Sequence, residues 1–219
     1  MSDSLHDEGT NDRVDPNAVS NFDYPPSGQA GEPVAMQIDW CRFASWLSRL
    51  GTVLWLCRAE GDSTFPRARL ACGGVLLLDH PALAAFSNSA SVEAHSAITV
   101  EGPREWLEFL DAKPVCIARL YLLPDADYLA WDAMLGDCRI ARAPQQTPAR
   151  WRAHAAFMRC ALRRLHSSWQ ARAVRFPLLR LPCLHVLGLR APAAVSELGR
   201  QLAVSIADDE RAVLQAAAV

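Results

Sequence analysis

Apolar residues return at helical intervals along much of this chain. From Asp39, a side chain suited to capping a helix, Trp40, Phe43, Leu47, Leu50, Leu54 and Cys57 recur at steps of three and four, which predicts one core helix through "WCRFASWLSRLGTVLWLCRA". A longer stripe of Trp151, Ala155, Met158, Leu162, Leu165 and Trp169 follows Thr147 and Pro148, a strong helix start. It predicts a spine helix of about 25 residues. Between these two, "VLLLDHPALAAFSNS" reads as helix interrupted at Pro81, with one buried strand as the alternative for its leucine run. "AITVEG" looks extended, and "PREWLEFLDA" predicts a helix opened by Pro103.

The stretch Ala118 to Cys138 reads as two helices meeting at Pro124. Asp125 is placed to cap the second, "ADYLAWDAMLG", with Asp127 in its first turn and Gly136 near its stop. Asp125, Asp127 and Asp132 are thus read as helix-start and surface acids, not as general acids or bases. Near the C-terminus "AAVSELGRQLAVSI" and "DDERAVLQAAAV" predict two more helices, while "LHVLGL" is too short to assign. Residues 1 to 35 show no period and too few apolar groups to offset the entropy of ordering. The expectation is an all-α, irregular multi-helix bundle over residues 36–219 behind a disordered acidic tail over residues 1–35.

Composition narrows the function classes. No apolar run approaches the roughly 18 to 20 residues that cross a bilayer, and the N-terminus has neither the basic start nor the hydrophobic stretch of a secretory signal. A cytoplasmic location follows as the expectation. The seven cysteines fall at spacings that form no disulfide framework, and most lie beside Leu, Val or Ala, which predicts reduced, packed thiols. Cys160 with His166 and Cys183 with His185 lack the paired blocks of structural zinc. No G-x-S-x-G, phosphate loop or dinucleotide fingerprint occurs, although a cysteine paired with His80, His95 or His154 stays open.

The net charge of -2 conceals a division. Residues 1–35 hold seven acids against Arg13, and residues 142–200 hold eleven arginines against Glu197. Arg150, Arg152, Arg159, Arg163, Arg164 and Arg172 are the candidate partner-binding residues on the spine helix. Trp46 and Trp55, off the first helix's main stripe, join them, because Arg and Trp are enriched at interfaces. Three readings of the arginines stand open: solvated surface, a protein interface, or a nucleic-acid regulator built on helix 148–175 whose affinity would fall steeply with salt.

One resemblance sharpens this picture. "EWLEFLDAKPVCIARLYLLPDADYLAWDAMLGDC", with the linker and Arg-rich segment after it, resembles the K component of the type III secretion sorting platform in Hrp-class bacteria. "LLLDHPALAAF" is similar to a His-Pro segment of that family. The resemblance implies a non-enzymatic adaptor without cofactor, metal or small-molecule substrate, cytoplasmic or held peripherally at the inner membrane through its partners. Those partners would be the cytosolic domain of the inner-membrane ring and the spoke protein that recruits the export ATPase.

Overall fold

The computed structural model describes residues 31–58, 67–71, 74–138 and 169–215. It overturns the all-α bundle: two β-sheets and four α-helices make up the described residues, and most of the expected helices are strands. Seven strands form the larger sheet. They are β1 (Val34–Met36), β2 (Gly51–Arg58), β5 (Ser91–Thr99), β6 (Gly102–Leu110), β7 (Cys116–Ala126), β8 (Trp169–Val174) and β11 (Ala212–Leu214), in the order β1-β5-β6-β7-β2-β8-β11. All neighbours run antiparallel except β8 and β11. The smaller sheet, β3 (Arg67–Ala71), β4 (Gly74–Leu78), β10 (Leu184–Leu187) and β9 (Leu178–Leu181), has the order β3-β4-β10-β9.

The first expected helix shows why periodicity misled. Asp39 does cap a helix, α1 (Trp40–Leu47), its carboxylate accepting from the N–H groups of Cys41 and Arg42 at 3.0 and 3.2 Å. The helix stops there, and after Gly51, at φ 77°, the chain continues as β2. The residues Thr52 to Cys57 are all buried because β2 is a central strand covered on both faces. In a run where nearly every position is apolar a stripe at steps of three and four is present by default, so it carries no information about period.

The same reasoning corrects three further expectations. "PREWLEFL" is β6, and "CIARLYLL" belongs to β7, whose residues divide between two cores: Ala118, Leu120 and Leu122 on one face, Cys116, Tyr121 and Leu123 on the other. The leucine run of "VLLLD" takes its strand alternative as β4. "AITVEG" is extended as expected, in the hairpin of β5 and β6. At the C-terminus α4 (Glu197–Glu210) matches its expectation, capped by Ser196, but Asp208, Asp209 and Glu210 end this helix instead of starting another. Arg211 closes it in the left-handed conformation, and β11 follows.

Pro81 opens a short 3-10 turn (Pro81–Leu83) that runs into α2 (Ala84–Asn88). α3 (Tyr128–Cys138) is capped by Asp127, which accepts from Ala130 N–H at 2.9 Å, and not by Asp125. Asp125 instead accepts from the N–H and hydroxyl of Ser196, both at 2.9 Å, and so ties the start of α4 to the end of β7. Asp132 is exposed.

The larger core lies between the two sheets with α1, α2 and α3 around it. At its centre Phe86 meets five rings, stacking on Trp55 at 5.1 Å and meeting Phe109 edge-on at 5.0 Å. The smaller core lies under α4 on the opposite face. Among the described residues no helix is long and apolar enough to cross a membrane. The segment on which the K-component resemblance rests is therefore β6, β7 and α3, a different arrangement from the leucine-rich helix and turn that the resemblance requires.

Candidate functional site

A cleft of 350 Å³ opens at the end of β2 and β8. Alternation along the strands decides what faces it. Trp55 and Cys57 of β2 lie directly opposite Arg172 and Gln170 of β8, so all four project from the same side of the sheet, the side of the larger core. On a strand read in isolation Gln170 and Arg172 would belong to the solvent face of "WQARAV". Here Ala171 packs into the smaller core under α4, which sends its two polar neighbours the other way.

The opposite wall is the 3-10 turn and the start of α2, contributing His80, Pro81, Ala82, Ala84 and Ala85, while Ile117 and Arg58 complete the lining. Trp55 fixes this wall to the sheet, since its Nε1 donates to the Ala82 carbonyl at 3.0 Å. His80 caps the turn with Nδ1 accepting from Ala82 N–H at 3.0 Å, which leaves Nε2 as the nitrogen that carries a proton. Burial holds the His80 imidazole below its ordinary titration range, the Arg172 charge adds to this, and Asp79 partly opposes it.

The electrostatics are one-sided. Arg58, Arg172, Gln170 and His80 bring donors to the cleft, and no carboxylate lines it among the described residues. Arg172 Nη2 reaches Gln170 Oε1 at 3.5 Å, and its buried Nε has no hydrogen-bond partner there. A buried donor without an acceptor is costly, which sets Arg172 Nε apart within this lining. Arg58 stands at the rim with its guanidinium 5.8 Å from the centre of the Trp169 ring.

A second polar cluster is structural. Arg119 on β7 pairs with Glu108 on β6 at 2.8 Å and with Glu210 at the end of α4, and the Tyr121 hydroxyl donates to Glu210 at 2.5 Å. Burial works against the Arg119 charge, but Tyr121, Glu108 and Glu210 outweigh it and hold the guanidinium protonated. Burial also pushes the neighbouring Cys116 thiol up to about 12, with Glu108 adding to the rise. The cluster clamps the last turn of α4 onto the sheet and presents no open face.

The residues singled out from sequence scatter. Arg150, Arg152, Arg159, Arg163 and Arg164 lie outside the described residues, and of the six candidate arginines Arg172 is the one placed, on a strand. Trp55 is fully buried at the base of the cleft wall. Trp46 is half-buried on α1, donating to Asp137 at 2.8 Å beneath the Arg49 guanidinium. His80 and Cys57 meet in the cleft lining, His95 stacks on Trp106 at 5.2 Å, and His185 Nδ1 is 3.9 Å from Cys41 Sγ. Cys160, His154 and His166 lie outside the described residues, and no metal-ligand cluster forms among those that are described. Sequence reading missed Arg58, His80 as a donor, and Gln170. The usable signal was the polar-apolar alternation of "QARA", overlooked because the helical stripe ran through Trp169.

No family model matches the chain, and no curated protein matches it. Among solved structures it is similar to ChuS of Escherichia coli O157:H7, described as a heme-degrading enzyme, at 20% identity and a TM-score of 0.38 over 60% of this chain and 46% of that one. It is also similar to holo-PhuS of Pseudomonas aeruginosa, described as a heme-binding protein, at 20% identity and a TM-score of 0.38 over 61% and 43%. The chain thus spans less than half the length of these structures. A likeness of this extent transfers neither ligand nor activity. The observed sheets overturn the type III secretion resemblance and the sorting-platform assignment that rested on it.

Proposed function

We propose that this protein binds a small anionic molecule in the cleft between β8 and the His80 turn. The observation that carries the reading is the half-buried Arg172, turned toward the core face of the sheet with a buried, unpartnered Nε and no carboxylate in the surrounding lining. An anion supplies an acceptor and a countercharge together. The volume falls in the range of small-molecule sites. This departs from the expectation of a chain without a small-molecule ligand.

Thermal unfolding in the presence of a panel of carboxylates and phosphate monoesters, beside neutral analogues, tests it. A ligand at 100 times its Kd adds about 2.7 kcal/mol of stability. Anions are expected to raise Tm and neutral analogues are not, with Arg172→Gln removing the effect. Hemin, the carboxylate-bearing ligand type named for the similar structures, is one arm of that panel. No shift with any anion would overturn the reading.

A role in binding another protein stands as a second proposal, favoured by β9. This strand, at the edge of its sheet among the described residues, exposes Leu179 and Leu181, 58% and 44% accessible. Leu179→Arg is expected to abolish capture of such a partner in a pull-down, and equal capture by the variant would exclude the edge.

A further inference from the structure

Resting on the anion-binding reading, we infer that the cleft selects an amphipathic carboxylate: one planar anionic head on an apolar body of roughly a dozen non-hydrogen atoms. The lining of the cleft carries two chemistries. Arg172 and Gln170 on β8 set a planar guanidinium beside a planar amide, and His80, its Nδ1 taken by Ala82 N–H, lines the cleft from the 3-10 turn. A guanidinium fork matches the two oxygens of a carboxylate in one plane, and a neutral imidazole N–H adds a donor without a further full charge. The lowered titration range of His80 agrees with the neutral form but is not required by the geometry.

A second part of the lining is apolar. Pro81, Ala82, Ala84, Ala85 and Ile117 present methyl and ring carbons, and the one polar group that the Trp55 contact exposes there, the Ala82 carbonyl, is already occupied by the indole N–H. Bare phosphate or acetate would occupy the donors and leave this wall facing water. A body with its own apolar surface covers the wall, and each buried methylene adds about fourfold in affinity, from the usual transfer free energy of a CH2 group. Size limits the choice: 350 Å³ corresponds to about a dozen water-sized volumes. A monocyclic aromatic acid or a medium-chain fatty acid fits that space.

Calorimetric titration of the full-length protein separates this inference from the reading beneath it. Octanoate and benzoate are expected to bind at least tenfold more tightly than acetate, inorganic phosphate, hexanol or benzamide. Arg172→Lys keeps the charge but loses the fork, and is expected to weaken benzoate at least tenfold while leaving phosphate within about threefold. Ile117→Ser is expected to weaken octanoate and leave acetate unchanged. Acetate or phosphate binding as tightly as octanoate would overturn the amphipathic selection while the anion site stands, and so would tight binding confined to hemin. Neutral hexanol and benzamide matching their acids, or no anion binding at all, would overturn both.

Discussion

Replacing Arg119 by methionine should destabilise the fold more than any other single change at the junction of α4 and the large sheet. The Arg119 and Glu108 side chains are 9% and 12% exposed and 2.8 Å apart. At an effective dielectric of about 20 the gross attraction across that distance is about 6 kcal/mol. Much of it only offsets the cost of taking both charges out of water, so the loss on truncation is set by what is left behind. Methionine fills the volume but leaves Glu108, Glu210 and the Tyr121 hydroxyl without their cation. Breaking a buried pair in this way costs about 3–5 kcal/mol. For a domain of this size that lowers Tm by roughly 6–20 °C. Urea unfolding followed by far-UV circular dichroism measures it, with the slope against denaturant checked for constancy. A second variant sharpens the test: Arg119→Met combined with Glu108→Leu and Glu210→Leu also removes the two carboxylates that faced the guanidinium, and is expected to recover most of the loss. A single-variant loss below about 1 kcal/mol, or a triple variant no more stable than the single, would refute the view that this network clamps α4.

Three other outcomes follow from the packing, the His80 cap and the burial of the thiols. Phe86→Ala removes the ring at the centre of the aromatic cluster and is expected to cost about 3–5 kcal/mol in urea unfolding, whereas Phe86→Leu costs less than half of that. Because the folded His80 imidazole titrates below its unfolded value of 6.5, the unfolded chain binds more protons as pH falls. The stability this residue contributes is therefore whole above pH 6.5 and is lost as pH drops through the folded value. His80→Asn keeps a capping oxygen without the titration, so the urea midpoint of the variant should change less between pH 7.5 and pH 5.0 than that of the parent; parallel changes would exclude His80 as the source. Among the described thiols, mass spectrometry after brief iodoacetamide treatment at pH 8 should find Cys183 alkylated first, since it is exposed, and Cys116 untouched until unfolding, since burial holds it near 12.

The chain's local chemistry was legible wherever one side chain acts on its own backbone. Asp39 caps α1 and Ser196 caps α4, each through its own side chain. The apolar content required a real core, and four of the five described cysteines are buried. The cap expected of Asp125 falls instead to Asp127, and Asp125 serves α4, 71 residues away, through a contact that no local rule contains.

What the sequence could not decide was helix or strand in its most apolar runs, and the reason is physical. A period is visible only when polar positions interrupt it, and β2, buried on both faces, has almost none. Strand identity there comes from pairing with β7 and β8, the latter more than a hundred residues distant in the chain. That same pairing sets Arg172 opposite Trp55 and turns a residue of an apparent helix face into the floor of a cleft. The residues alone determined the caps, the turns and the burial of apolar mass; which side of which strand an arginine occupies was determined by register, a property that exists only once distant segments have met.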